Sequence, residues 1–215
     1  LSAPLNAKPP PRMPVTQQSH LVRHIRERVA RFGDRAALRV QADGAWRAVS
    51  WRELGRAMDG CARALIRAGH QPGEMVGICA RNMPEWTQAD LGILAARGVS
   101  VPIYPTSTRD QVSYILRDAR IRLLFVGEQP QFDRALDLLG TGEIARIVAL
   151  DGSIDLRGCR EACHFRDFVD GGDDLPGAPG LGDREAQFRM DAVPTVIYTS
   201  GTTGEPKGVM LDYAN

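Results

Sequence analysis

From residue 75 onward, short apolar runs alternate with longer segments that read as helix. Met75–Ala80 and Leu123–Val126 are apolar throughout, and Val99–Ile103 and Ile144–Leu150 are apolar but for Ser100 and Arg146. Pro84–Arg97, a stretch from Thr108 to Ala119, and Pro130–Leu139 lie between them. Strands of four to seven residues alternating with helices of ten or more predict βαβ units and a parallel sheet. Strands this continuously apolar require helices over both faces of that sheet. The expected class is therefore α/β, a parallel sheet flanked by helices.

The first part of the chain follows other patterns. Residues 1–19 are rich in proline and polar side chains and read as a disordered lead-in. From His20 to Phe32, Leu21, Ile25, Val29 and Phe32 recur at helical spacing. Ala36–Val40 and Ala45–Val49 flank Ala42-Asp43-Gly44, which suits a hairpin turn. Ser50 and Glu53 form a capping box for a helix that runs to Gly69. Thr108 and Gln111 form a second box, and Asn82 is placed to cap the helix that Pro84 opens. Residues 151–183, with Gly171-Gly172-Asp173-Asp174 and Pro176-Gly177, break the rhythm and read as a surface connection. Val193–Tyr198 is then a strand. The expected organisation is a lead-in over 1–19, an α/β unit over 20–192, and a strand with its following loop over 193–215.

Composition narrows the class. A formal charge of +1 offers no global attraction to nucleic acid. The arginines at 23, 26, 28 and 31 make the first helix basic, which raises contact with an anionic membrane as an alternative. The apolar stripe is no wider than packing requires, so a packed surface helix is the favoured reading. The lead-in lacks an apolar core of signal-peptide type, no run reaches the length of a membrane span, and four cysteines are unpatterned for disulfides. These features give the expectation of a reduced, cytoplasmic setting, with the inner membrane face as the alternative. Cys159, Cys163 and His164 are spaced like part of a zinc site but lack a fourth ligand, so no metal ligand is assigned.

The chemistry concentrates in Tyr198-Thr199-Ser200-Gly201-Thr202-Thr203-Gly204-Glu205-Pro206-Lys207-Gly208. Glycines let backbone N–H groups turn toward an anion, hydroxyls add donors, and lysine adds compact positive charge. Lysine is otherwise scarce: Lys8 and Lys207 stand against 25 arginines. A plain turn would not need this combination. Counted from Gly201, Lys207 is in register with the nucleotide P-loop, but Pro206 and Gly208 stand where that loop needs glycine and a hydroxyl. No G-x-G-x-x-G opens a helix after a strand.

Residues 198–209, YTSGTTGEPKGV, resemble the phosphate-loop signature of the adenylate-forming enzymes: acyl-CoA synthetases, luciferases and peptide-synthetase adenylation domains. Val49-Ser50-Trp51-Arg52-Glu53-Leu54, Pro72-Gly73-Glu74-Met75-Val76 and Asn82-Met83-Pro84-Glu85-Trp86 agree with it. Val101-Pro102-Ile103-Tyr104-Pro105-Thr106-Ser107-Thr108 resembles the long-chain fatty acid–CoA ligase branch. The resemblance implies the N-terminal part of that family's large domain. It implies ATP and Mg²⁺, a fatty acid joined to AMP, and transfer to coenzyme A. It assigns phosphate contacts to Thr199, Ser200, Gly201, Thr202, Thr203, Gly204 and Lys207. Glu205 is expected to face solvent. Tyr213 stands where many members have histidine. The family's adenine and ribose motifs and its catalytic lysine lie downstream of Asn215, so this polypeptide alone is expected to make no acyl-CoA. A non-catalytic nucleotide- or partner-binding domain, or an adenylation module for another acid, are the alternatives.

Overall fold

The computed structural model describes residues 20–42, 44–171, 180–199 and 205–213. Helix α1 (Leu21–Phe32) leads into a hairpin of β1 (Ala36–Ala42) and β2 (Ala45–Ser50). Helix α2 (Trp51–Arg67) begins at the Ser50–Glu53 capping box and ends with Gly69 at φ +86°, a left-handed residue suited to glycine. Both capping boxes form as expected, since the Thr108 side chain also accepts from the Gln111 amide.

The central sheet contains β3 (Met75–Cys79), β4 (Val99–Ile103), β5 (Leu123–Val126), β6 (Arg146–Ala149), β7 (Ala162–His164), β8 (Thr195–Thr199) and β9 (Lys207–Leu211). Their spatial order is β7-β6-β5-β3-β4-β8-β9. Every neighbouring pair is parallel except β8 and β9, which are antiparallel. The expected α/β class forms, with a sheet that is parallel except where β9 adds an antiparallel edge strand.

Two apolar layers hold the sheet. On one face, Val76, Ile78, Phe125 and Val148 pack with α2, with α3 (Pro84–Ala95) and with α6 (Phe165–Asp170). On the other, Val99, Val101, Ile103, Val126 and Ile147 pack with α4 (Arg109–Asp118) and α5 (Gln129–Gly140). Contact between α2 and α3 is close: a Cβ at Gly92 would lie 2.5 Å from Cys61 Cβ. Helix α1 lays its stripe on this layer, with Ile25 against the core and Val29 against Gly55. Its Arg26 bridges Asp59 at 3.0 Å and Glu185 of α7 (Leu181–Ala186) at 2.8 Å. Among the described residues no helix is long and apolar enough to cross a membrane.

The structure corrects several expectations. Met83, not Asn82, is the N-cap of α3, with no side-chain cap bond; Pro84 opens the helix and needs no N–H there. The helix stops at Ala95 because Arg97 turns to φ +62° and the Gly98 amide closes on the Ile93 carbonyl at 2.8 Å. The supposed connection over 151–183 contains β7, α6 and the start of α7; these elements are too short to show a period. Residues 172–179 lie outside the described residues.

Candidate phosphate-binding site

Strand β8 starts at Thr195, since Pro194 has no N–H and contributes only its carbonyl, which accepts from Ser100 at 2.8 Å. The strand runs parallel to β4 and ends beside the C-terminal end of β4. In open α/β sheets this is the edge where ligands bind. The chain leaves at Thr199, returns at Lys207, and pairs antiparallel in the register Thr199↔Lys207, Tyr198↔Gly208, Ile197↔Val209. Lys207 is therefore the first residue of a strand rather than part of the loop, and residues 200–206 join the two strands.

Residues opposite one another in an antiparallel pair point to the same face, with Cβ atoms ~4.5–5.5 Å apart. Thr199 and Lys207 form such a pair, and both are exposed. A hydroxyl and an ammonium thus stand side by side at the mouth of the turn. Glu205 is exposed, as expected, and Pro206 is half-buried. Ser200, Gly201, Thr202, Thr203 and Gly204 lie outside the described residues.

On the opposite face of the hairpin, strand β8 is covered. Val196 and Tyr198 are buried in the layer formed with α4. The Tyr198 hydroxyl donates to the Asp118 carboxylate at the end of α4. Burial first, and this bond next, hold the Tyr198 phenol well above its usual range. Gly208 sits over the ring: a Cβ there would lie 3.1 Å from Tyr198 Cζ. Asp118 carries no motif, and its partner is 80 residues away, so sequence reasoning had no signal for it.

Beside the turn, the segment after β4 is braced from below. The Pro105 carbonyl accepts from Arg134 at 3.0 Å and from Gln131 at 3.3 Å. The Cys79 thiol lies 3.7 Å from the Tyr104 carbonyl, and burial pushes its pKa up to about 11, which leaves it a packing group rather than a nucleophile. Tyr104 remains 72% exposed at the C-terminal end of β4. Among the described residues no three His, Cys, Asp or Glu side chains gather to hold a metal.

Tyr213 belongs elsewhere. Strand β9 carries the chain away from the turn, and at ~3.4 Å per residue Leu211 stands roughly 14 Å from Lys207. Tyr213 follows it and packs edge-on against Phe188 at 4.8 Å, while His20 stacks on the same Phe188 at 3.8 Å. Burial, with Asp90 nearby, pushes the Tyr213 phenol up to about 12. Its ring closes an aromatic contact at the far end of β9, away from the Thr199↔Lys207 pair.

Comparison with known proteins identifies the family. The family model for AMP-binding enzyme matches residues 25–215. The chain is 30% identical to the long-chain-fatty-acid–CoA ligase ACSBG2 of Rattus norvegicus over 198 residues, 89% of this chain and 29% of that protein. It is 34% identical over 173 residues to the long-chain-fatty-acid–CoA ligase FadD15 of Mycobacterium bovis, 80% of this chain and 28% of that protein. The chain thus spans less than a third of the length of these relatives. The crystal structure of the anthranilate CoA ligase AuaEII in complex with anthranoyl-AMP superposes with a TM-score of 0.76 at 23% identity, covering 93% of this chain and 36% of that one. The family model covers most of the chain and the fold agrees with it, so the chain belongs to the AMP-binding enzyme family, the adenylate-forming enzymes.

Proposed function

We propose that this chain supplies the triphosphate-gripping part of an AMP-forming ligase that activates a long-chain fatty acid and passes it to coenzyme A. The observation that carries the reading is the Thr199↔Lys207 pair at the C-terminal edge of the sheet. The ligase relatives support the acyl-CoA chemistry, and the printed substrates of the two curated relatives support the long-chain acid.

A carboxylate is a poor acyl donor because oxide is a poor leaving group. Attack of the carboxylate oxygen on the α-phosphorus of ATP breaks the bond to pyrophosphate and forms an acyl-adenylate. The thiol of coenzyme A then displaces AMP. The obstacle in the first step is charge, since an anion approaches a triphosphate and more charge builds on departing pyrophosphate. Preorganised donors offset that charge without reorganising during the reaction. Lys207 and the Thr199 hydroxyl would hold the β- and γ-phosphates, with Ser200, Gly201, Thr202, Thr203 and Gly204 adding hydroxyl and amide donors. Mg²⁺ would bind through the phosphate oxygens, in keeping with its preference for substrate phosphates over all-protein cages. A cytoplasmic setting is part of this proposal.

The test is acid-dependent ATP–pyrophosphate exchange by the complete enzyme with a panel of long-chain, medium-chain and aromatic acids. Exchange that is strongest with long-chain acids is expected. Exchange only with aromatic acids would replace the substrate class and keep the reaction. No exchange with any acid, together with no binding of ATP, would favour the non-catalytic domain.

A further inference from the structure

We infer that Tyr198 and Asp118 are a positioning pair, which fixes the hairpin that presents the phosphate-binding turn. This inference rests on the nucleotide reading above for its functional consequence, but the brace can be read without nucleotide.

Four observations support it. Tyr198 lies directly across from Gly208 in the register, one step inside the Thr199↔Lys207 pair. Its ring is buried, 7% exposed, on the face opposite Thr199 and Lys207. Its hydroxyl reaches out of the sheet to the carboxylate of Asp118, the last residue of α4. Gly208 admits the ring, since any Cβ there would lie 3.0 Å from Val196 and 3.1 Å from the ring itself.

The placement of Asp118 needs an explanation of its own. An acidic side chain at a helix C-terminus faces the negative end of the macrodipole, where cations are preferred. Capping does not account for it, and the hydroxyl donated by Tyr198 does. Strand β9 lies at the outer edge of the sheet and, among the described residues, pairs with β8 alone. Val209, on the outer face with Lys207, is exposed, and so is Met210, which lies on the same face as its partner Val196. Strand β9 therefore gains little from packing on either face, and the hairpin's attachment to the helical layer runs through Val196 and Tyr198 of β8. Without the hydroxyl bond the ring can still pack, but it loses the contact that sets its height above α4. The spacing of Thr199 and Lys207 at the mouth of the turn then loosens. Neither Tyr198 nor Asp118 needs to touch nucleotide; both act through the pair beside them.

Three single variants separate this role from general stability. Tyr198→Phe keeps the ring and removes the donor. Asp118→Ala removes the acceptor. Asp118→Asn keeps a carbonyl acceptor and serves as the conservative rescue. Native-state amide exchange of β8 and β9 on the 215-residue chain reads the brace directly. Exchange there is expected to run about five- to tenfold faster in Tyr198→Phe and Asp118→Ala, with β3 and β5 unchanged and Asp118→Asn near wild type. The double variant Tyr198→Phe/Asp118→Ala is expected to match either single one, as for two residues of one interaction. Wild-type exchange in every variant, or additive effects in the double one, would overturn the pair.

In the complete enzyme, Mg-ATP affinity by titration calorimetry is expected to weaken about three- to tenfold in Tyr198→Phe and in Asp118→Ala, and to stay near wild type in Asp118→Asn. An unchanged affinity in Tyr198→Phe alongside tight wild-type binding would overturn the positioning role. Absent binding by the wild type would instead count against the nucleotide reading, and the amide-exchange result would stand by itself.

Discussion

Gly208 lies against the ring of Tyr198, with its Cα so close that an added Cβ would stand 3.1 Å from the ring and 3.0 Å from Val196. The two residues are cross-strand partners, and the contact seats the hairpin on the helical layer. Glycine in a strand ordinarily costs stability: replacing it with alanine recovers about 0.5–1 kcal/mol of backbone entropy. Crowding a packed interface costs about 1–3 kcal/mol. Tyr198 is held at its hydroxyl by Asp118 and cannot swing away, so crowding wins. Gly208→Ala is expected to destabilise the chain by about 1 kcal/mol, a fall in melting temperature of about 2–4 °C. A rise in melting temperature would show that the ring gives way.

The α2–α3 contact is tighter still. A Cβ at Gly92 would meet Cys61 Cβ at 2.5 Å and Cys61 Sγ at 2.6 Å, with the Met58 carbonyl at 3.2 Å. Gly92→Ala must move one helix, at a cost of about 1–3 kcal/mol by chemical denaturation. Adding Cys61→Ala removes the sulfur but leaves its Cβ, so little stability should return. Full recovery in the double variant would place the clash on the sulfur alone.

Stability should also fall as the medium turns mildly acid. His70 is 8% exposed, and burial lowers its pKa against the pull of Glu74, with Arg184 lowering it further. Burial lowers His20 too, against Glu185. The unfolded chain then binds protons near pH ~6.5 that the folded chain refuses, so stability rises with pH there. It is full above about pH 6.5 and is lost as the pH drops through the folded values, before most carboxylates titrate. The urea midpoint at about pH 5.5 is expected to lie below that at about pH 7.5, and His70→Gln should shrink the gap. Equal midpoints in the wild type would contradict the burial argument.

Much of this architecture was legible in the residues, for identifiable reasons. The strands Val99–Ile103 and Leu123–Val126 are bounded as their apolar runs suggested, because burial on both faces keeps their ends apolar; the one polar residue, Ser100, is itself buried. Ser50 with Glu53, and Thr108 with Gln111, announce helix starts through bonds made within one turn. What escaped depends on distance along the chain. Strand β7 has three residues, and its place is set by pairing with β6. Strand β9 is largely exposed and follows a glycine-rich turn; only its pairing with β8 makes it a strand. Asp118 meets Tyr198 across 80 positions, which no local pattern encodes. For the site, Thr199 and Lys207 were legible as residue types, while their side-by-side geometry was not.

The most direct test of the phosphate-gripping pair is Lys207→Ala in the complete enzyme, read by acid-dependent ATP–pyrophosphate exchange. A hydrogen bond between charged groups contributes ~1.5–3 kcal/mol, so the rate is expected to fall roughly tenfold to a few hundredfold. Lys207 is exposed at the start of an edge strand, so the melting temperature should hardly change. A wild-type exchange rate in Lys207→Ala would contradict a role for Lys207 in holding the triphosphate.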